Sequence, residues 1–513
     1  MKRTKGFDLP LSVIRERIAN SDLLPAPYTR YCRVIADALH FFLQRLSASR
    51  LEAILMEQAT LAARQDVARR VVALLGHSPV LHKLGQVLAR ERRLAKSFRL
   101  QLQRLESLTP KTPLASVRGQ LEREFGDLRR AGVTLERPLA EGSVAVVVPF
   151  RNVGTANGTG VFKLLKEGVE DCLEQDLESL SALAGFLGER CEDYGLPALD
   201  YKETFETIRE LLVHEVRFSE EQSNLIAAGR AYSQSTHVVV PKLLPFCSAR
   251  VTAMERLWGK KLPQGAEFSH PGGNRWARSL IEGALGQPMV SADEAVIFHG
   301  DLHGGNVLLL PHGQVGMLDW SLAGKLRTEH RLALVEILLA ACAVDVERAE
   351  RALQQLARAR LSPAARRVLE ESLSVLGWGR LPGVAWLLGL LDELLLRGGV
   401  RFDATLVLFR KLVLTLEGVV ADLLRAEPQA VGRVFDAVLA EVFLREWVRE
   451  WPCRFVMPWQ AKSPRTHIST SDVLNLWFAG VWAPARSWRG LWEEQSAALE
   501  VAGKTRGSVP RSG

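Results

Sequence analysis

The chain contains little cysteine and no paired-cysteine motif. Its six cysteines are Cys32, Cys172, Cys191, Cys247, Cys342 and Cys453. They are widely separated, which argues against both a disulfide framework and a cysteine zinc site. A reducing, cytoplasmic compartment is therefore expected.

The sequence also lacks a long uninterrupted hydrophobic run. The most apolar stretch, Val384–Leu396, is broken by Asp392 and Glu393. It is too short and too charged to cross a bilayer, so we predict a buried helix there. The first residues, Met1–Asp8, have no apolar core of the kind that a signal peptide needs.

Charge of one sign is not concentrated anywhere in the chain. The formal net charge is only +8 over 513 residues, and most arginines are dispersed along predicted helices. Nucleic-acid binding requires clustered cations, so no nucleic-acid partner is expected. Attraction to an anionic membrane surface stays open. The length predicts two or three domains.

Hydrophobic periodicity divides the chain into helical and β-rich parts. Residues 10–75 and 78–128 are predicted to be helical, with one helix from Leu114 to Phe125. Two β-branched runs, Ser143–Phe150 and Gly160–Leu165, then predict strands. The Asn157-Gly158 pair between them predicts a hairpin turn.

Helices and one further pair of strands are predicted to follow. Helices over 170–189 and 202–231 come first, and the strands His237–Lys242 and Arg250–Glu255 are expected to pair with each other. After Gly259 we expect helices interrupted only by a hairpin over Asp301–Asp319.

This order predicts an α+β, two-lobed protein-kinase-like fold with nucleotide between the lobes. The small N-lobe would hold a β-sheet, the C-lobe would be mainly helical, and a helical extension would precede both. The predicted segments are 1–77 (N-terminal helical region), 78–128 (helical extension), 129–257 (N-lobe), 258–446 (C-lobe) and 447–513 (tail rich in Trp and Arg).

Three polar residues interrupt the apolar strands between Val296 and Ser321. Asp301 is followed by Asn306 five positions later and by Asp319 thirteen positions after that. An aspartate can orient a nucleophilic hydroxyl, while amide and carboxylate oxygens hold Mg²⁺ against a triphosphate. We therefore predict a catalytic Asp301, and Asn306 and Asp319 as Mg²⁺ ligands, with ATP or ADP as the nucleotide. A polar hairpin with chance acids is the alternative.

Lys163 lies in the middle of an apolar strand. A buried ammonium there costs desolvation unless an acid pairs with it. Glu221, on a later helix, is the candidate partner, and the lysine would then bridge the α- and β-phosphates. The alternatives are an edge-strand lysine that discourages aggregation and, for Glu221, membership of a solvated acidic cluster.

The turn before the first long strand is a candidate phosphate-binding loop. Backbone N–H groups of Ala140 and Gly142, with the Ser143 hydroxyl, could lie over phosphates, although an ordinary tight turn explains the pattern equally well. Glu255, at the end of the last strand of this region, is included in the predicted nucleotide-binding set.

Two histidines flank Asp301. His299 and His303 invite a zinc interpretation, but zinc needs a third ligand and a helix that brings both rings together. Gly304-Gly305 favours a loop instead. We interpret His299 as a hydrogen-bonding residue that shapes this loop.

Four segments together resemble the UbiB/AarF family of atypical kinases, within the protein-kinase-like superfamily. They are Lys83-Leu-Gly-Gln86, the helix with Glu215 and Glu221, the loop His299–Asn306, and the helix Phe409–Gly418. The resemblance extends over about residues 78–425. The loop alone is shared with aminoglycoside and choline kinases, and the Lys-x-Gly-Gln element separates the two groups.

The resemblance implies a role for each matched residue. Lys163 and Glu221 would anchor the nucleotide, Asp301 would be the catalytic aspartate, and Asn306 and Asp319 would bind magnesium.

The Lys-x-Gly-Gln helix has an implied role of its own. Lys83 and Gln86 would fold over the active site, with Glu215 holding Lys83. In the family this arrangement obstructs protein substrates and favours ATP hydrolysis or phosphorylation of a small or lipid-like molecule. Family members support synthesis of ubiquinone and related isoprenoid quinones.

Three positions depart from the family pattern. The alanine-rich nucleotide loop is replaced by Ala140-Glu-Gly-Ser143, so Glu141 is expected to add negative charge near the phosphates. Arg217 stands where the family's Glu-x-Asp has its aspartate. The magnesium motif reads Asp319-Trp-Ser321 rather than Asp-Phe-Gly.

The last segment is unlike the family. Its tryptophans are Trp447, Trp451, Trp459, Trp477, Trp482, Trp488 and Trp492, and its arginines include Arg454, Arg465, Arg486 and Arg489. Trp with Arg suits peripheral contact with a membrane interface. The competing interpretation is packing on the kinase lobes or on a partner.

We expect an ATP-binding, Mg²⁺-dependent atypical kinase or ATPase that supports isoprenoid-quinone or other lipid metabolism. A hydroxyl kinase of the aminoglycoside or choline kinase type is the second hypothesis. A nucleotide-binding pseudokinase that organises a biosynthetic complex is the third.

Overall fold

The computed structural model describes residues 8–21, 23–24, 26–61, 67–89, 94–103, 105, 110–152, 158–196, 201–262, 272–378, 382–454 and 457–476. The chain divides into two compact units. The first consists of Met1–Ile226, Pro241–Trp258 and Asp319–Leu322, and the second of Ala227–Val240, Gly259–Leu318 and Ala323–Gly513. Helices and small sheets occur in both, and the predicted α+β class is confirmed.

The first unit opens with a helical region that has its own core. Its helices are α1 (Asp8–Ala19), α2 (Cys32–Leu43), α3 (Ala48–Thr60), α4 (Val67–Leu75), α5 (Pro79–Leu88) and α6 (Lys96–Gln103). Apolar residues at helical spacing along them, such as Leu39 and Leu43 of α2, face this core. Leu173 and Leu180 from a later helix complete it.

A five-stranded antiparallel sheet follows in the same unit. Its elements are α7 (Leu114–Phe125), β1 (Val133–Leu135), β2 (Ala140–Glu141), β3 (Ala145–Asn152), β4 (Thr159–Leu165) and β6 (Val251–Glu255). The strand order is β1-β3-β4-β6, with β2 also paired to β3. Val117 and Leu121 of α7 pack on the inner face of the sheet. Asn157 of the predicted turn lies outside the described residues, and Gly158 has a φ of 61°, as such a turn requires.

The predicted helix over 202–231 is two helices. After α8 (Val169–Arg190), α9 runs over Tyr201–Val216 and α10 over Phe218–Ala231. The helix is interrupted at Arg217, and Phe218, the first residue of α10, is buried with Leu165 in a separate small apolar cluster. As a result, Glu215 and Glu221 lie on different helices.

The second unit holds two small sheets. One has the order β5 (Val238–Val239), β10 (Val315–Met317), β9 (Val307–Leu309) and β7 (Lys260–Lys261), and in the other β8 (Ala295–His299) pairs with β11 (Ala323–Arg327). The expectation of a single hairpin after Gly259 was therefore wrong.

The expected pairing between the strands His237–Lys242 and Arg250–Glu255 was also wrong. β5 pairs in parallel with β10, and β6 pairs with β4. Pro241 explains why β5 ends early, because proline has no N–H to donate to a ladder. Beyond it, Leu243 forms an isolated bridge with Met254. The Glu255 N–H also donates to the Lys242 carbonyl oxygen at 2.8 Å, and the Leu244 N–H donates to the Ala253 carbonyl oxygen at 2.9 Å.

Helices make up the rest of the second unit. They are α11 (Gly273–Ile281), α12 (Gln287–Met289), α13 (Thr328–Ala343), α14 (Val346–Leu356), α15 (Pro363–Ser374), α16 (Val384–Leu396), α17 (Ala404–Leu424), α18 (Pro428–Arg449) and α19 (Trp451–Arg454). The apolar run predicted as a buried helix is α16, and five of its leucines are buried, whereas Leu395 and Leu396 at its end are exposed. Within the described ranges, every helix is too short or too polar to span a bilayer.

The described part of the tail packs on its own unit. Trp447 is buried, and its ring lies 4.9 Å from that of Trp451. Further along, Asp472 pairs with Arg348 of α14 at 2.7 Å. The packing interpretation fits these residues, whereas Trp477, Trp482, Trp488 and Trp492 lie outside the described ranges.

We predict that Gly85→Ala destabilises the N-terminal helical core. A Cβ on Gly85 would lie 2.4 Å from Leu105 Cδ1 and 3.0 Å from Leu75 Cδ1. Both leucines are buried, so making room requires repacking that costs about 1–3 kcal/mol. The melting temperature of the variant should fall below that of the wild type.

Gly185→Ala in α8 is the matched control. Nothing lies within 4 Å of a Cβ at that position, and alanine favours a helix over glycine by about 1 kcal/mol. This variant should be as stable as the wild type or more so. Equal stability gains in both variants would contradict the close packing at Gly85.

Candidate active site

An interior strand of the first unit carries a lysine held between two carboxylates. Lys163 Nζ lies 2.8 Å from Glu221 Oε1 and 3.0 Å from Asp319 Oδ1. Lys163 is 9% exposed and Glu221 only 1%. Its strand, β4, has β3 on one side and β6 on the other. The edge-strand alternative is therefore wrong, and so is a solvated position for Glu221.

The cluster has one ammonium for two carboxyl groups. Burial alone would lower the pKa of the Lys163 ammonium, but Asp319 and Glu221 raise it, so it stays protonated. Burial raises the pKa of the Glu221 carboxyl, with Lys163 opposing and Asp319 adding to the rise. Glu221 Oε2 is buried and has no hydrogen-bond partner among the described residues.

Helix α10 also holds the magnesium motif through an amide. Asn224, one turn after Glu221, donates from Nδ2 to the Trp320 carbonyl oxygen at 3.0 Å. Trp320 is fully buried. Asp319 has a φ of 56°, a left-handed conformation that costs free energy and is common at functional sites. Trp320 thus provides a buried aromatic anchor where the family has phenylalanine, and Asn224 fixes its backbone.

In the second unit, His299 shapes the loop that carries Asp301. Its Nδ1 accepts the Asp301 N–H at 3.1 Å, and its Nε2–H donates to the Leu318 carbonyl oxygen at 2.8 Å. Both ring nitrogens are engaged. His303 uses its Nδ1 to accept the Gly305 N–H. Across the described ranges no group of three His, Cys, Asp or Glu could hold a metal, so the zinc interpretation finds no support.

Asn306 is oriented by the same loop. Its Nδ2 donates to the Asp301 carbonyl oxygen at 3.0 Å, which leaves the amide oxygen as the group that can bind a metal. The Asn306 carbonyl oxygen accepts the Leu318 N–H at 2.9 Å, and Asp319 is the next residue in the chain. An amide and a carboxylate oxygen are ligands that suit Mg²⁺ when phosphates and water complete the shell.

Asp301 is ion-paired with a residue that the sequence analysis did not single out. Lys411 Nζ of α17 lies 3.0 Å from Asp301 Oδ1. The two residues are 110 positions apart, and no local pattern connects them.

The structure brings Lys83 and Glu215 together as an ion pair in the first unit. Gln86 Nε2 donates to the Leu105 carbonyl oxygen at 3.3 Å, next to the 2.8 Å hydrogen bond from His82. The Lys-x-Gly-Gln helix is thus anchored at both polar positions. Arg217, in place of the family's aspartate, is exposed and pairs with its neighbour Glu220 instead.

The charge of Glu141 is neutralised inside the first unit. Its carboxylate lies 2.8 Å from Lys166 Nζ and accepts the N–H groups of Lys111 and Thr112 at 2.6 and 3.0 Å. Burial would raise the pKa of Glu141, but these contacts lower it overall. The expected negative charge near the phosphates is therefore compensated by partners that the sequence did not reveal.

The loop itself is a tight turn. Ala140 is in β2, and the Gly142 N–H donates to the Ala145 carbonyl oxygen at 2.8 Å across Ser143. A Cβ on Gly142 would meet only that oxygen, at 3.8 Å. Glycine is therefore not required there by space.

Glu255 is not part of the charged cluster. In the register between β4 and β6, Lys163 lies opposite Thr252, and Gly160 lies opposite Glu255. Because paired residues share a face and faces alternate along a strand, the Glu255 side chain lies on the opposite face from Lys163.

The chain is similar to known proteins. Residues 104–353 match the model of the ABC1 atypical kinase-like domain. Over 279 residues the chain is 29% identical to an uncharacterised, chloroplastic aarF domain-containing protein kinase of Arabidopsis thaliana, covering 51% of this chain and 49% of that protein. Over 281 residues it is 26% identical to a probable protein kinase UbiB of Tolumonas auensis, covering 53% and 51%. A solved complex of Rv3197 with erythromycin from Mycobacterium tuberculosis has 17% identity and a TM-score of 0.45, covering 74% of this chain and 95% of that chain.

The sheet with its buried lysine and the Asp301–Asn306 loop define a protein-kinase-like domain. Within that class, residues 104–353 match the ABC1 atypical kinase-like domain, and the matched relatives are UbiB and aarF proteins, the family that the motifs resemble. The matched stretch spans about half the length of these relatives.

We predict that Lys163→Met destabilises the first unit, and that Lys163→Met with Glu221→Gln recovers most of the loss. Removing one partner of a buried ion pair costs about 3–5 kcal/mol because the other charge is left unpaired. Removing both charges avoids that cost. Denaturant unfolding of the two single variants and the double variant measures the coupling, and strictly additive losses would contradict a buried pair.

A second prediction concerns acid stability. Burial lowers the pKa of His82 to about 4, and the hydrogen bond to Leu105 offsets this only in part. The unfolded chain then binds more protons between about pH 4 and 6.5, so stability should fall on acidification through that range. At pH 5 the free energy of unfolding should be about 2 kcal/mol lower than at neutral pH.

His82→Gln should flatten this pH dependence in thermal melts between pH 7 and 5. Part of what persists belongs to His467 and His237, because burial also lowers the pKa of both imidazoles, that of His467 to about 4. An unchanged pH slope in the His82 variant would show that His82 is not held neutral by the fold.

Proposed function

We propose that this chain is an atypical kinase or ATPase that binds ATP with Mg²⁺. The observation that carries the proposal is the Lys163 ammonium, paired with Glu221 and Asp319 on an interior strand. A structural ion pair would not need a second carboxylate in a strained, partly exposed position. A lysine that binds phosphates needs a buried carboxylate to hold it, and a metal ligand beside it must be open to solvent; Glu221 and Asp319 meet these two needs.

Each residue has a defined part in this proposal. Lys163 binds the α- and β-phosphates while Glu221 holds its ammonium in place. Asp319 and Asn306 supply a carboxylate and an amide oxygen to the metal, and Asp301 orients the attacking hydroxyl or water. Bound Mg²⁺ would supply positive charge that neutralises the negative charge developing on the phosphates.

The acceptor is proposed from the family relationship. Two of the matched relatives, from Tolumonas auensis and Histophilus somni, are named probable protein kinase UbiB. We propose that the chain acts in isoprenoid-quinone metabolism or on a related lipid-like molecule. The Lys83–Glu215 ion pair supports this, because it fixes the helix that in the family obstructs protein substrates.

We predict that Asp319→Ala abolishes Mg²⁺-dependent nucleotide turnover. Removing the carboxylate takes away the metal ligand and also one partner of Lys163. Phosphate release from ATP should fall to background, and the thermal stabilisation by ADP should lose its dependence on Mg²⁺. Asp472→Asn is a control, because this buried carboxylate lies in the tail and pairs with Arg348.

The outcomes separate the three hypotheses. Mg²⁺-dependent thermal stabilisation without phosphate release from the wild type would favour the pseudokinase. Activity that survives Lys83→Ala, with small alcohols as acceptors, would favour a hydroxyl kinase. Full turnover by the Asp319 variant would overturn the proposed mechanism.

A further inference from the structure

The catalytic loop of the second unit contains no cation of its own. From His299 to Asn306 it reads His-Gly-Asp-Leu-His-Gly-Gly-Asn, without lysine or arginine. Asp301 is nevertheless 9% exposed. A carboxylate that is this buried stays ionised only if a positive group or several donors stabilise it. Lys411, at 3.0 Å, provides that charge.

Helix α17 is packed so that Lys411 must face the loop. Leu408, one turn earlier, lies against Gly300, where a Cβ would come within 2.8 Å of Leu408 Cδ1. Phe409 packs edge-on against Phe298 of β8, with ring centroids 5.6 Å apart. Positions three apart share a helix face, so the contact at Leu408 directs Lys411 to Asp301.

The start of α17 is fixed as well. Asp403 accepts the Leu406 N–H at 2.8 Å as the helix cap and lies 3.1 Å from His330 Nε2. The lysine therefore projects from a helix anchored at its N-terminus and along the face that meets the loop. Its side chain remains 33% exposed, so the ammonium can meet a ligand while it contacts Asp301.

The position of the ammonium matters for the reaction. The Lys411 ammonium lies 3.0 Å from the Asp301 carboxylate, which in the proposed function orients the acceptor hydroxyl or water. The oxygen of that acceptor attacks the γ-phosphoryl group, so the ammonium would lie near this group as well. Negative charge on this group is spread over its equatorial oxygens, and a cation beside them stabilises it. Lysine suits the task because its ammonium is a compact charge on a flexible stem.

We propose that Lys411 is a catalytic residue that binds the transferred γ-phosphoryl group, supplying the cation that the loop lacks. The inference rests on the proposed function, since it requires a nucleoside triphosphate beside Asp301. It predicts that Lys411 contributes to the recognition of the γ-phosphate and not to that of the rest of the nucleotide.

The test compares the binding of ADP and of the non-hydrolysable imido analogue of ATP, both with Mg²⁺, by titration calorimetry. The full chain is used as the wild type, Lys411→Met, Lys411→Arg and Arg410→Met. Lys411→Met should bind the ATP analogue at least about tenfold more weakly, with unchanged ADP affinity. Lys411→Arg keeps the charge and should recover part of the loss.

Arg410→Met is the matched control. This neighbouring cation on α17 pairs with Asp392 rather than with the loop, with Arg410 Nη2 2.8 Å from Asp392 Oδ2. The Arg410→Met variant should bind ADP and the ATP analogue with the affinities of the wild type. If Lys411→Met lowered the affinities for ADP and for the ATP analogue equally, Lys411 would be a structural residue and the proposal would be wrong.

Unchanged affinity of Lys411→Met for the ATP analogue would also overturn it. If the wild type bound neither nucleotide, the proposed function itself would fail, and this inference with it. Where turnover is measurable, Lys411→Met should lower kcat by about 100-fold or more.

Discussion

A buried ammonium group must have a counter-charge, and in this protein that requirement organises the first unit. Lys163 lies on an interior strand, where leaving it unpaired would cost several kcal/mol. Glu221 supplies the counter-charge from α10. Once α10 is placed for this contact, Asn224 one turn later is in position to hold Trp320. The position and backbone conformation of Asp319 thus follow from the pairing of a single lysine.

A comparable dependence holds in the second unit, with hydrogen bonds in place of the ion pair. The imidazole of His299 joins the Asp301 N–H to the Leu318 carbonyl oxygen. It therefore fixes the loop and the strand that leads to the magnesium motif at the same time. Asn306 closes the loop through its side-chain amide. The carboxylate of Asp301, by contrast, depends on a distant helix for its charge partner.

The parts of the fold and of the candidate site that depend on neighbouring residues in the sequence could be predicted. The β-branched runs around Lys163 predicted β3 and β4, and the motif around Asp301 predicted a polar loop between apolar strands. The partners were not predictable in the same way. Lys411 lies far away in the chain, and Glu141 carries no mark that it would be neutralised by Lys166 and two backbone N–H groups. Such contacts depend on tertiary packing, which residue spacing does not encode.

The errors in the fold have a related cause. β7 is only two lysines long and β11 reads Ala-Gly-Lys-Leu-Arg, so neither has a hydrophobic pattern that distinguishes it from a loop. The residues of β5 did not predict its partner, because a two-residue strand has no pattern that favours one neighbouring strand over another. The assignment of Glu255 to the nucleotide stays a prediction, and strand register places its side chain on the opposite face of the sheet from Lys163.

In the proposed function, the Lys163 ammonium binds the phosphates of a nucleotide. An acyl phosphate of ATP tests it directly, since the reagent transfers its acyl group to a lysine that lies against the triphosphate. Peptide mapping by mass spectrometry should find Lys163 acylated, and an excess of ADP with Mg²⁺ should prevent the labelling. Acylation of surface lysines alone, with Lys163 unmodified and no protection by nucleotide, would contradict the account.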